Sequence, residues 1–215
     1  MKKLLRYFLL MIPVVTGWNT VSAQCTWEPL INDGFEYNTA IDGFIPGKTV
    51  HTTPQTFAAH TGTRSAYLNF VNCNGGTGAC AGDMVFQRAM GFCPGVPVRM
   101  NIWFATTFSG TQCDIKIVIS DETGLVLDSV PSLMPGYAPA WTNYISPTLN
   151  PTTDTIVFTI YTNIDGSASG NDLGMDDYKL EHCVNTHSSA VAGICNNSAT
   201  TNLFNAITNS PHRNR

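Results

Sequence analysis

"TDTIVFTIYTN", residues 153–163, decides the fold of this chain. Ile156, Phe158 and Ile160 alternate with Val157, Thr159 and Tyr161, and a period of two sends the two sets to opposite faces of an extended strand. The run is rich in β-branched and aromatic residues, which suit a pleated, half-buried surface. The same period recurs in "VRMNIWF" (98–104), where Val98, Met100, Ile102 and Phe104 oppose Arg99, Asn101 and Trp103. It recurs in "CDIKIVIS" (113–120), where Ile115, Ile117 and Ile119 oppose Lys116 and Val118. Further strands are expected at 31–36, 65–72, 84–90, 124–130, 141–149 and 173–182. Gly and Pro punctuate the intervals in "IPGK", "CPGVP", "ETG", "MPGYAPA" and "LNPTTD". No window outside the N-terminus has a convincing helical period. About nine strands joined by short turns predict an all-β fold, a two-sheet β-sandwich of jelly-roll type.

The two ends of the chain break this pattern. Lys2, Lys3 and Arg6 accompany an apolar run over 4–15, and Val21-Ser22-Ala23 has small residues where a leader is cleaved. This predicts a signal peptide over 1–23 and a mature chain beginning at Gln24. The apolar run is interrupted at Pro13 and falls short of the roughly 20 residues that cross a bilayer. Residues 24–183 form one stretch long enough for its own core. From 184 to 215 the composition turns to Asn, Ser, Thr and Ala, and this tail is expected to be disordered.

The whole chain has 11 basic and 15 acidic residues. Loss of the leader's three basic residues leaves 8 against 15, a formal charge of −7. That balance argues against nucleic acid or an anionic membrane, which are held mainly by Lys and Arg. The seven cysteines, at 25, 73, 80, 93, 113, 183 and 195, include no C-x-x-C pair. In a secreted chain they predict disulfides rather than metal thiolates, and Cys73–Cys80, bracketing "NGGTGA", is the natural short bridge.

The catalytic motifs are missing. "GSASG" (166–170) has Ala168 where a serine nucleophile would stand, and the histidines form no H-E-x-x-H. Asp176 and Asp177 are adjacent, so regular alternation would point them to opposite faces and prevent a glycosidase pair. The chain is expected not to be an enzyme. "DGSASGNDLGMD" (165–176) has oxygen-bearing side chains at positions 1, 3, 5 and 12 and glycine at 6, a spacing like that of a calcium loop. Its flanks read as strands rather than helices. A loop rich in hard oxygen donors is the better description. Trp103 shares its strand parity with Arg99 and Asn101, and Tyr161 lies on the non-core parity of another strand. Such faces can stack a sugar ring while polar neighbours bond its hydroxyls.

"NDGFE" (32–36), "HTGTRSAYLNF" (60–70), "CPGVPVRMNIWF" (93–104), "WTNYISPTL" (141–149) and "GNDLGMDDYKLEHC" (170–183) occur in that order. Together they resemble the secreted jelly-roll domains of the MAM and galactose-binding-like type, including bacterial carbohydrate-binding modules. The resemblance spans about 32–183. Tyr178 departs from it, standing where Ile is usual. It implies a structural calcium ion held by Glu36 and Asp176, with Asp177 as substitute and backbone carbonyls completing the shell. It also implies a Cys93–Cys183 disulfide and a core position for Trp141. The function it implies is extracellular recognition of a glycan, with Trp103, Arg99, Asn101 and Tyr161 as candidate contacts. Two alternatives stand beside this: an adhesion or surface-assembly module that binds a surface protein, and an accessory module of a polysaccharide-degrading enzyme.

Overall fold

The structure, a computed structural model, describes residues 25–51, 53–56, 59–110, 112–166 and 171–185. The expected leader, most of the expected tail and residues 167–170 of the oxygen-rich loop lie outside them. Among the described residues nine strands form: β1 (Cys25–Asp33), β2 (Ala66–Leu68), β3 (Met84–Gly91), β4 (Val98–Thr106), β5 (Ile115–Asp121), β6 (Val126–Leu133), β7 (Thr142–Ile145), β8 (Thr155–Thr162) and β9 (Leu173–Asn185). They make two antiparallel sheets. A five-stranded sheet runs β1-β9-β4-β7, with β2 also paired to β9, and a four-stranded sheet runs β3-β8-β5-β6.

The alternating sets meet between the sheets. Ile115, Ile117, Ile119, Ile156, Phe158 and Ile160 from one sheet, and Val98, Met100, Ile102, Phe104 and Leu180 from the other, are all fully buried. Burying each such side chain contributes roughly 1.5–3 kcal/mol, the main force closing the sandwich. Arg88 is the exception on this inner face. Its register partner is Phe158, and its guanidinium reaches Asp33 Oδ2 at 2.9 Å and lies 5.1 Å from the centre of the Tyr178 ring. Tyr37 donates a second hydrogen bond to the same carboxylate oxygen at 2.7 Å. The paired charge thus joins β3 of one sheet to β1 and β9 of the other.

Three expectations need correction. The first strand was expected at 31–36, yet it begins at Cys25 and ends at Asp33. The Asp33 carboxylate accepts a hydrogen bond from Phe35 N at 3.0 Å, and Phe35 has φ 55°, which turns the chain out of the strand. The resemblance implied Cys93–Cys183, but Cys183 is bonded to Cys25, with a Cα separation of 5.1 Å. Strand β1 runs antiparallel along β9 and pairs Trp27 with Cys183, which brings the first cysteine of the domain to the last strand. Cys93 is disulfide-bonded too, but not to Cys183. The short Cys73–Cys80 bridge forms, and Cys113 is a buried free thiol. Finally, Trp141 is only half-buried, because it packs on the outside of the five-stranded sheet against His60 and Gly174.

Candidate functional site

The aspartate pair sits in a break in β9. On β4, Asn101 pairs with Lys179 while Trp103 pairs with Asp176, so β9 holds one residue more than its partner over this interval. Asp177 is that extra residue, at φ 47°. This is a β-bulge, and Asp tolerates the left-handed backbone better than most residues. The bulge overturns the opposite-face expectation, because both carboxylates now reach one segment. Asp176 Oδ2 accepts hydrogen bonds from His60 N (2.8 Å) and Thr61 N (3.2 Å), while Oδ1 accepts one from Asp177 N (2.8 Å). Asp177 bonds His60 Nδ1 at 2.7 Å and accepts from Thr61 Oγ1 at 3.0 Å.

Glu36 grips the other end of the same segment. Its carboxylate accepts from Thr63 N (3.0 Å), Thr63 Oγ1 (2.8 Å) and Arg64 N (3.2 Å). Gly62 between them has φ +66°, and Glu36 occupies the space that a Cβ would need. Only glycine satisfies both demands. The bonds from Thr63 hold the Glu36 carboxyl below its ordinary pKa. Asp176, fully buried, is pushed up to about 6 by desolvation. Hard oxygens on a buried, poorly solvated anion suit a divalent cation such as calcium. Among the described residues, Glu36, Asp176 and Asp177 do not converge as a three-carboxylate cluster. Backbone oxygens would therefore supply most of a shell. The one close group of three potential metal-ligating side chains among the described residues is Cys73, Cys80 and Asp165, and its two sulfurs are joined to each other.

The candidate ligand residues divide between two faces. Arg99, Asn101 and Trp103 lie on the outer face of the five-stranded sheet, where each has an internal neighbour or is enclosed. Arg99 Nε is 2.6 Å from Glu181 Oε2, and its guanidinium lies 4.5 Å from the Trp27 ring centre. His60 stacks on Trp103 with 4.0 Å between ring centres, and Trp141 meets the same histidine edge-on at 5.7 Å. Asn101 Oδ1 is buried and accepts no hydrogen bond among the described residues.

Tyr161 lies on the outer face of the four-stranded sheet. It pairs with Met84 on β3 and Lys116 on β5. The Lys116 ammonium is 5.5 Å from its ring centre, and Gln87 Nε2 donates to Thr159 Oγ1 at 3.2 Å. Lys116 and Ser129 are exposed, while Gln87, Val118, Ser120 and Tyr161 are half-buried, as on a sheet face shielded mainly by its own side chains. Gln87, Lys116, Thr159, His60 and Thr63 were not singled out from the sequence. The outward parity of "IKIVIS" contains Lys116, but a contact between β3 and β8 leaves no mark in either strand alone.

No family model matches this chain, and no curated protein matches it. Solved structures do. The carbohydrate-binding module TmCBM61, in complex with β-1,4-galactotriose, superposes with a TM-score of 0.52 at 16% identity, covering 71% of this chain and 97% of that one. The N-terminal CBM22-1–CBM22-2 tandem domain of Paenibacillus barcinonensis Xyn10C gives 0.50 at 10% identity, covering 75% of this chain and 47% of that one. These likenesses do not bear on the MAM part of the resemblance. At such identities the likeness speaks for architecture: this chain has the jelly-roll β-sandwich fold of carbohydrate-binding modules.

Proposed function

We propose that this protein is a non-catalytic, extracellular glycan-recognition module whose ligand lies across the outer face of the four-stranded sheet. The observation that carries the reading is the half-buried Tyr161 ring on that face, bordered by Lys116 and Gln87. A pyranose presents an apolar face to an aromatic ring and hydroxyls around its edge. Lys116 and Gln87 can donate to those hydroxyls, and the Gln87 amide oxygen can accept from them. The disulfides suit an oxidising compartment. The shared fold with a galactotriose-bound module makes β-1,4-galactan oligosaccharides the first probes, alongside a broader glycan array. Tyr161→Ala is expected to lower affinity at least tenfold with the fold intact. Binding that survives this substitution rejects the face.

We also propose that Glu36 and Asp176, with Asp177 near by, hold a structural calcium ion over the 60–64 segment. Support comes from the convergence of these carboxylates on one short segment and from the desolvation of Asp176. The ion's role is to stabilise the fold, not to do chemistry. Chelation should lower the melting temperature, and magnesium, which demands a tighter octahedral shell, should restore it only in part.

A further inference from the structure

The two ends of the described domain lie side by side. β1 runs antiparallel along β9, and its first residue, Cys25, pairs with the last, Asn185. Strand β1 is the outermost of the five-stranded sheet, and β9 is its one strand partner among the described residues. Thr26, Glu28, Pro29, Leu30 and Asn32 are exposed, so the ladder holds this strand more than side-chain burial does. Pro29 has no N–H to give to that ladder, and the register slips between Pro29 and Ile31. β9, in contrast, pairs with β1, β2 and β4. Tension that draws residues 25 and 185 apart therefore meets the weaker strand at the end of its ladder. Neighbouring antiparallel strands pulled from the same end lose their hydrogen bonds one after another, whereas strands sheared from opposite ends load them together. End-to-end tension is thus the weak direction of the ladder. Once β1 lifts, Asp33 leaves the largely buried Arg88 guanidinium, 2.9 Å away, and an unpaired charge remains between the sheets.

The Cys25–Cys183 bond stands where that peeling would begin. It joins the first residue of β1 to the residue of β9 that pairs with Trp27, across a Cα separation of 5.1 Å. We propose that the domain is a tension-carrying link, in which force between the segments on either side of it crosses this bond and bypasses the fold. The two cysteines are 158 residues apart, and β2 to β8 all lie between them. The core is therefore outside the path of the force. A general staple is the plainer alternative, because closing so long a loop restricts the unfolded chain wherever the bond is placed. Position favours the force path. The bond lies at the end of the ladder and ties the two strands that carry the ends of the domain, rather than two interior strands. Cys73–Cys80, by comparison, closes a ring of seven-residue separation and leaves those ends untouched. The inference does not depend on the sheet-face reading. What it adds is a second task, to hold the flanking segments together under tension while the sandwich keeps its shape.

The test is single-molecule pulling on the full, oxidised chain through handles fused to its two ends. Wild type should show no step longer than about 100 Å, since only chain outside 25–183 can extend. The double variant Cys25→Ser, Cys183→Ser should release at least about 200 Å. That is the extended length of residues 25–93, roughly 3.5 Å per residue, less the Cys73–Cys80 ring. Wild type is then held by its N-terminus and by a handle on Glu122, an exposed residue of the β5–β6 turn. That pull crosses the core, and a step above about 100 Å should return. A force path protects against end-to-end tension alone, whereas a general staple slows unfolding in every direction. If the double variant does not fold, the two wild-type geometries still decide. The proposal is overturned if wild type pulled by its ends gives a step above about 100 Å. It is equally overturned if the double variant resists end-to-end tension as wild type does, or if the Glu122 geometry resists as well.

Discussion

The outer faces of the two sheets have similar ingredients and opposite fates. On the five-stranded sheet, a polar and aromatic strand edge with Arg99, Asn101 and Trp103 resembles a ligand platform when read alone. There the chain lays His60 over Trp103 and ties residues 60–64 down through Asp176, Asp177 and Glu36. On the four-stranded sheet Lys116 is exposed, and Tyr161, half-buried as Trp103 is, carries no stacked ring among the described residues; only the Lys116 ammonium lies near it. The difference lies in what crosses each face, not in the strands themselves. An aromatic residue becomes a platform only where the chain leaves it open, and the carboxylates on β9 determine where the chain goes.

Substitutions can break that contrast, and the largest effect is expected at Asp176. Asp176→Ala strips the acceptor from three backbone N–H groups, each worth about 1–3 kcal/mol when left buried and unpaired. A loss of at least about 3 kcal/mol, or roughly 6–12 °C in melting temperature, should follow. Sugar binding measured well below the melting point should persist, because the anchored segment and the Tyr161 face lie on different sheets. Calorimetry paired with glycan titration separates the two readouts.

Calcium sharpens the same contrast from the ligand side. An ion that binds only the folded form stabilises by about 2.7 kcal/mol at a hundredfold excess over Kd. Chelation should therefore lower the melting temperature by several degrees, and Glu36→Gln or Asp176→Asn should remove the response. A melting curve indifferent to chelator, with no ion in the purified protein, would leave hydrogen bonding as the whole account of the carboxylates. Trp103→Ala comes next. Losing a half-buried ring stacked on His60 should cost about 2 kcal/mol, less than the 3–5 typical of a fully buried aromatic. Affinity for sugar should hardly change, and a selective loss of binding with intact stability would return the ligand to the covered face. Tyr161→Ala should show the reverse, at least tenfold weaker binding with less than about 1 kcal/mol lost in stability.

The smallest effect is a pH trend. Burial holds the Asp176 acid at about 6, above its ordinary value, so the folded protein binds that proton more tightly than the unfolded chain does. Its stabilising contribution is present below about pH 4 and is lost as pH rises through about 6. In calcium-free buffer, the stability difference between wild type and Asp176→Asn should shift in favour of wild type as pH falls across that window. Saturating calcium should suppress the trend by favouring the ionised form. A difference that does not change with pH in calcium-free buffer would contradict the desolvated carboxylate.

Much of the architecture was legible because burial in a sheet repeats every second residue. Ile156, Phe158 and Ile160 announce their common face locally, and so do Val98, Met100, Ile102 and Phe104; these positions are the core. The Cys73–Cys80 bridge was legible for the same reason, since seven residues of separation leave few alternatives. Other features depend on partners distant in sequence. Cys25 meets Cys183 across a separation of 158 residues only because β1 lies along β9. The bulge at Asp177 exists only relative to the register of β4, and it reverses where that side chain points. Arg99, Trp103 and Tyr161 all read as outward and available. The sequence by itself determined which residues face away from the core, because strand alternation is a local property of the backbone. Only the tertiary structure decided which of those outward residues are covered, because covering requires a segment more than a hundred residues away in sequence to pair with the carboxylates of β9.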